Sequence, residues 1–194
     1  MPTTIVSIAA SLKVFVHGPV SWGSCIPSSR SGVYIIAVRS PVIGPVFDTN
    51  AIDDWIRTTP RLTLSGKNHS SICAQDLCAE MLKFWIPDEM IVYVGRAKVL
   101  KRRIYQFYGT PLGARRPHKG GYWIKTLASL CSLDIYWIES QNEKVLEKDV
   151  VEFFSRNVTP AFKNHNIFRL NEYLPFANLQ MPGGGNKKHK IVHP

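Results

Sequence analysis

Acidic residues are scarce in this chain: 14 Asp and Glu stand against 24 Lys and Arg in 194 residues, a formal net charge of +10. That imbalance argues against a cationic partner and favours a polyanion, through charge neutralisation and counterion release. Cysteine is sparse too. Cys25, Cys73, Cys78 and Cys131 form no C-x-x-C pair and have no matching His cluster, which argues against a structural zinc site and a disulfide framework. They read as small buried hydrophobes in a reducing compartment. The N-terminus lacks a charged n-region followed by an apolar h-region, and no run approaches the roughly 20 apolar residues of a membrane span. A cytoplasmic location is therefore expected. No dinucleotide fingerprint, Gly-Lys-Ser/Thr phosphate loop, nucleophile elbow or internal repeat is present, which disfavours the common small-molecule enzyme classes.

What is present is an ordinary globular composition, 45% hydrophobic and 20% charged, enough for one domain with a proper core. Ile5–Val16 is apolar and β-branched without a helical period and predicts one or two strands or an extended lead-in. Gly32–Val38 and Ile91–Val94 are short apolar runs suited to buried strands, and Leu133–Ile138 is a third. Helices are expected at Ala51–Arg57, Gln75–Trp85, Val99–Tyr108, Tyr122–Leu130 and, most clearly, Ser140–Arg156. Pro182–Gly185 precedes a basic stretch, Asn186–Lys190, expected to be mobile. Residues 1–180 thus read as a single domain and 181–194 as a flexible basic tail.

The last helix carries an anomaly. Leu146, Val150, Val151, Phe153 and Phe154 form one apolar arc, with Lys144, Lys148, Glu152 and Arg156 on the other side. Glu147 falls inside the arc. A carboxylate facing a core is costly unless paired or bound to a cation, so either an ion pair, with Arg103 as one partner, or a metal site is implied. Glu143, three residues after Ser140, fits a capping box instead. In the Lys101-Arg102-Arg103 run, only Arg103 flanks the apolar face of its helix. Arg102 faces outward, where it suits a nucleic-acid backbone.

Gly32-Val33-Tyr34, then Tyr93-Val94-Gly95, then Arg103 ten residues past the second tyrosine and Glu147 on a later helix resemble the GIY-YIG nuclease family over about Ser31–Asn164. The resemblance implies an α+β fold, a small, mainly antiparallel three-stranded sheet flanked by helices. It also implies a Mg²⁺- or Mn²⁺-dependent endonuclease acting on DNA, most simply double-stranded; a free-standing member of this kind suits a restriction-type enzyme, and restriction of palindromic sites implies a two-fold dimer. In that reading Tyr34 positions or deprotonates the attacking water, Tyr93 organises the site, Arg103 clamps the scissile phosphate and Glu147 holds the metal. A phenol is a poor base at neutral pH without a neighbouring cation. Arg96 fills the place where lysine is commoner, and either it or the bound metal is expected to supply that charge. Phe107 stands where a Tyr or His is common, with Tyr108 or His118 as replacements. Asn164 fits the family's terminal asparagine best, with Asn178 as second choice. The basic loop with Arg115, Arg116, His118 and Lys119, and the tail with Lys187 and Lys188, read as DNA-backbone contacts.

The chain departs most from the family between its two motifs. The insertion, about Arg39–Met90, contains Trp55, Arg57, Arg61, Lys67, Asn68 and His69, which suit either recognition of DNA or plain packing. Two rival functions fit the same residues: a GIY-YIG-fold binding module without turnover, and a nuclease of repair, mobile-element or RNA-directed type.

Overall fold

The computed structural model describes residues 2–64, 66–114, 120–158 and 173–192. His118, Asn164, Arg115, Arg116 and Lys119 lie outside the described residues. The fold is mixed α+β, with two sheets and, among the described residues, five α-helices. The larger sheet has four strands in the order β1-β5-β2-β4, all neighbours antiparallel: β1 (His17–Ser21), β5 (Asp134–Glu139), β2 (Gly32–Ala37) and β4 (Ile91–Ala97). The three motif strands form where the apolar runs predicted them. A fourth, β1, extends the expected three-stranded sheet by pairing Val20 with Ile135.

Every residue of β2 is buried, because it lies between β4 and β5 with both faces covered. Its alternation divides the interior. Tyr34 and Ile36 point into one cluster with Tyr93, Phe107 and Trp123, while Val33 and Ile35 point into another with Ile138, Val150, Val151 and Phe154. Helix α5 (Glu143–Asn157) supplies the last three. Burying each such side chain contributes about 1.5–3 kcal/mol, so the apolar arc read from sequence is what holds α5 on the sheet.

Four expectations are corrected. Ile5–Leu12 is a helix, α1, not a strand: Thr4 and Ser7 form a reciprocal capping box and Lys13 ends the helix at φ 53°. Ile8 then docks beside α5. Tyr122–Leu130 is not one α-helix but two short 3₁₀ turns, Tyr122–Thr126 and Leu130–Ser132. The C-terminal segment is tied down: β6 (Ile191–Val192) pairs with β3 (Thr63–Leu64), and Lys187 is only 7% exposed. Three of the four cysteines, Cys25, Cys73 and Cys131, are exposed rather than buried.

The insertion folds as helices α2 (Thr49–Thr58) and α3 (Ala74–Leu82) together with β3, packed on the tyrosine side of the sheet. Trp55 is fully buried there, so it is packing rather than a base contact. Arg57 and Lys67 are ion-paired to Asp54 and Asp76, and His69 Nε2 bonds the Ile56 carbonyl.

Candidate active site

Strand β4 forms one edge of the four-stranded sheet. The backbone of its middle residue is covered by a side chain: Val94 N–H donates to Asn178 Oδ1, and Asn178 Nδ2 donates back to the Val94 carbonyl, both at 2.8 Å. Ala177 N–H donates to the Val92 carbonyl. Residues 177–178 thus seal the edge as an extra strand would. Asn178, the second choice for a site asparagine, is in this structure a buried clamp beside Tyr93.

Beyond Val94 an open cleft of about 580 Å³ begins. Its walls include Tyr34, Tyr93, Arg96, Lys98, Arg102, Arg103, Glu143 and Glu147. A separate apolar hollow of about 270 Å³, on the far side of the next helix, contains none of the two tyrosines, Arg103 or Glu147.

The tyrosines arrive from two strands in register. Tyr34 stands opposite Gly95, and Ile36 opposite Tyr93, so both phenols share one face. Their ring centroids are 5.8 Å apart. Gly95 is what permits this: a Cβ there would lie 2.7 Å from the Tyr34 hydroxyl and 2.8 Å from the Tyr93 ring. Gly121, at φ 67°, backs the pair from behind, where a Cβ would sit 2.8 Å from Tyr93 and 2.9 Å from Phe107. Phe107 packs edge-on against both tyrosines and is buried, so it supports the rings. Tyr108 does not replace its missing hydroxyl, since its own donates to the Ser24 carbonyl outside the cleft.

Arg103 comes from helix α4 (Leu100–Gly109). The first turn of α4 is pinned where Leu100 and Lys101 N–H groups donate to the Arg30 and Ser28 carbonyls, just before β2. Buried Leu100, Ile104 and Phe107 set the rotation of the helix and bring Arg103 beside the Tyr34 hydroxyl, which also bonds to Tyr93. Arg102 is exposed at the cleft wall.

Burial pushes the Tyr34 phenol well above its ordinary range, aided by Tyr93 and opposed by Arg103. Burial likewise raises Tyr93 to about 12, with Tyr34 and Arg103 pulling the other way. Both phenols are therefore neutral near pH 7. Arg96, expected to supply charge to Tyr34, does not: strand alternation turns it to the opposite face. There its Nε lies 2.7 Å from Glu147 Oε2, so the ion-pair partner of Glu147 is Arg96 and not Arg103. Desolvation raises the Glu147 carboxyl, Arg96 lowers it, and Glu143 raises it again.

Sequence reasoning missed Lys98 and the true place of Glu143. Asn142 is the N-cap, Ser140 Oγ accepts from the Asn142 N–H, and Glu143 is buried and paired to Lys98 at 2.9 Å. The signal was available: Arg96 near the end of a strand and Lys98 just past it are two apart, and Glu143 and Glu147 are four apart on a helix. The tail lysines diverge. Lys187 Nζ donates to the Pro175 and Phe176 carbonyls and lies over the Phe84 and Trp123 rings, whereas Lys188 is exposed. Burial depresses the Lys187 ammonium far below its usual range, and it has no access to a DNA backbone.

Among the described residues, no group of three or more His, Cys, Asp or Glu side chains is placed to hold a metal ion. What the cleft offers is a half-buried carboxylate, Glu147, with Glu143 one turn earlier. That donor set does not suit a dehydrated zinc or calcium cage. Both carboxylates are paired, to Arg96 and Lys98, so the set would suit only a cation that keeps most of its water, as Mg²⁺ does when held by one or two carboxylates plus substrate phosphate. The chain matches no protein-family profile, no curated protein and no solved structure.

Proposed function

We propose that this protein is a Mg²⁺-dependent endonuclease of GIY-YIG type that hydrolyses phosphodiester bonds in DNA. The observation that supports this reading is the convergence of Tyr34, Tyr93, Arg103 and Glu147, from four separate elements, on one open cleft. Charge supports it as well: Arg96, Lys98, Arg102, Arg103 and Lys144 line the same cleft against two carboxylates.

In this mechanism the diester lies in the cleft beyond Val94, past the edge that Asn178 seals. Arg103 forks onto the non-bridging oxygens and stabilises the charge that grows on them as the nucleophile attacks. Tyr34, a neutral phenol, orients the attacking water by a hydrogen bond. As the water oxygen bonds phosphorus and the ester P–O bond breaks, the water's proton passes to solvent in the open cleft and the departing oxygen takes one from it. Tyr93 fixes Tyr34 through the contact between their hydroxyls. Glu147 would hold the ion, which when bound supplies Lewis-acid stabilisation of the departing oxygen.

Incubation of supercoiled plasmid with Mg²⁺ tests the reading. Intact protein is expected to nick it, and Glu147→Gln to abolish nicking while DNA binding persists. One observation favours a rival, a binding module of the same fold: the carboxylate that should hold metal is occupied by Arg96. Tight binding without strand scission across several divalent ions and DNA structures would establish that rival instead.

A further inference from the structure

Each of the two carboxylates in the cleft is matched with a cation from β4 or from the bend that follows it. Arg96 meets Glu147, and Lys98, just past the end of β4, meets Glu143, forming two rungs to carboxylates four apart on α5. The rungs are unequal. The Lys98 side chain is 73% exposed, a solvated ammonium on a flexible stem, whereas Arg96 is 41% exposed against a Glu147 side chain at 16%. Arg96 is the more enclosed cation, and it bonds the carboxylate assigned above to the ion.

Ion and guanidinium compete there. A divalent ion ligates an oxygen at about 2.1 Å, and Arg96 Nε already occupies Glu147 Oε2 at hydrogen-bonding distance. Like charges held side by side in a partly desolvated cleft repel far more than in water. A displaced guanidinium in that cleft has two anions to choose from, Glu143, already paired to Lys98, and a bound phosphate, whose oxygens its planar fork matches better.

We propose that Arg96 exchanges partners: it bonds Glu147 in the free protein, is displaced by the divalent ion, and then binds the DNA phosphate beside Arg103. This rests on the metal site assigned to Glu147 above. It makes Arg96 a second phosphate-binding residue held in reserve, and it couples the ligands, because what releases Arg96 for DNA also favours the ion, and the reverse holds by linkage.

Mn²⁺ binding to the intact chain without DNA, read by the loss of the free-ion paramagnetic resonance signal, tests the first half. Arg96→Gln is expected to tighten Mn²⁺ roughly tenfold. Arg102→Gln, which removes the same charge from the cleft wall without freeing an oxygen, should tighten it much less. Arg96→Met repeats the test with the stem retained, should the glutamine variant fold poorly. Equal affinities for wild type and both Arg96 variants overturn the exchange, as do equal gains from the Arg96 and Arg102 variants. Mn²⁺ binding to wild type that Glu147→Gln removes keeps the metal site standing even then, whereas no binding to any variant overturns the site itself. Titration of a mixed-sequence DNA duplex, with and without Ca²⁺, tests the second half. The ion should strengthen DNA binding more in wild type than in Arg96→Gln, and an equal effect overturns the transfer to phosphate.

Discussion

The two faces of the β2–β4 ribbon carry chemistry of opposite kinds. On one, Tyr34 and Tyr93 sit among Phe107, Trp123 and the insertion, 1% and 7% exposed, with Arg103 the cation beside them. On the other, Arg96 and Lys98 meet Glu147 and Glu143 at a wetter surface. The first face is rigid and unionised, since burial keeps phenols protonated. The second consists of paired charges, each cation more exposed than the carboxylate it meets. The difference teaches that one strand can line a single cleft with both kinds of group: alternation keeps Arg96 away from the aromatic packing, while the cleft beyond the sealed edge is walled by both faces.

The largest expected effect separates a catalytic tyrosine face from a merely packed one. Arg103→Ala should lower Mg²⁺-dependent nicking by roughly 10²–10³-fold, as loss of a transition-state donor does, and Tyr34→Phe by about 10²-fold. Losses under tenfold for both, in folded protein, would reduce that face to core. A smaller effect contrasts the faces in stability. Gly95→Ala drives a Cβ into Tyr34 and Tyr93 and should cost about 1–3 kcal/mol in thermal or denaturant unfolding. Arg96→Gln, one residue later but on the ionic face, should stay within about 1 kcal/mol. Equal costs would erase the contrast.

The smallest effect is spectroscopic. Tyr93 is raised to about 12 by burial, above the ordinary value near 10. Between these values the unfolded chain has lost a proton that the folded one keeps, so the stability Tyr93 contributes is complete below pH 10 and is lost as pH rises through about 12. Ultraviolet titration should show this tyrosinate appearing late. Tyr93→Phe should take one tyrosinate out of the late transition, which buried Tyr34, Tyr108 and Tyr122 share, and lessen the alkaline loss of stability. A phenolate at residue 93 forming near pH 10 would mean that the ring is wet.

Much of the site was legible because its signals are local. Gly-Val-Tyr and Tyr-Val-Gly are strand-length apolar runs, Arg103 lies within one turn of Ile104 and Phe107, and Glu147 interrupts an apolar arc on a single helix. The partner of Glu147 was not legible. Choosing between Arg96 and Arg103 requires knowing which face of β4 meets α5, and the register of three strands decides that. Lys187 misled for a related reason. Among Asn186, Lys188 and Lys190 it reads as solvated, yet pairing of Ile191 with Leu64 draws the segment inward and places one ammonium over Phe84 and Trp123.

By itself the sequence determined the central strands, the helices carrying Arg103 and Glu147, the basic surface and the glycine that lets two tyrosines meet, because periodicity, sterics and net charge are properties of neighbouring residues. Only the tertiary structure decided that Ile5–Leu12 is a helix, that the insertion buries Trp55, that Asn178 seals the sheet edge and that each cleft carboxylate has its own cation. Those outcomes depend on which distant segments share a surface, and the free energy of that sharing is not written in any single stretch of the chain.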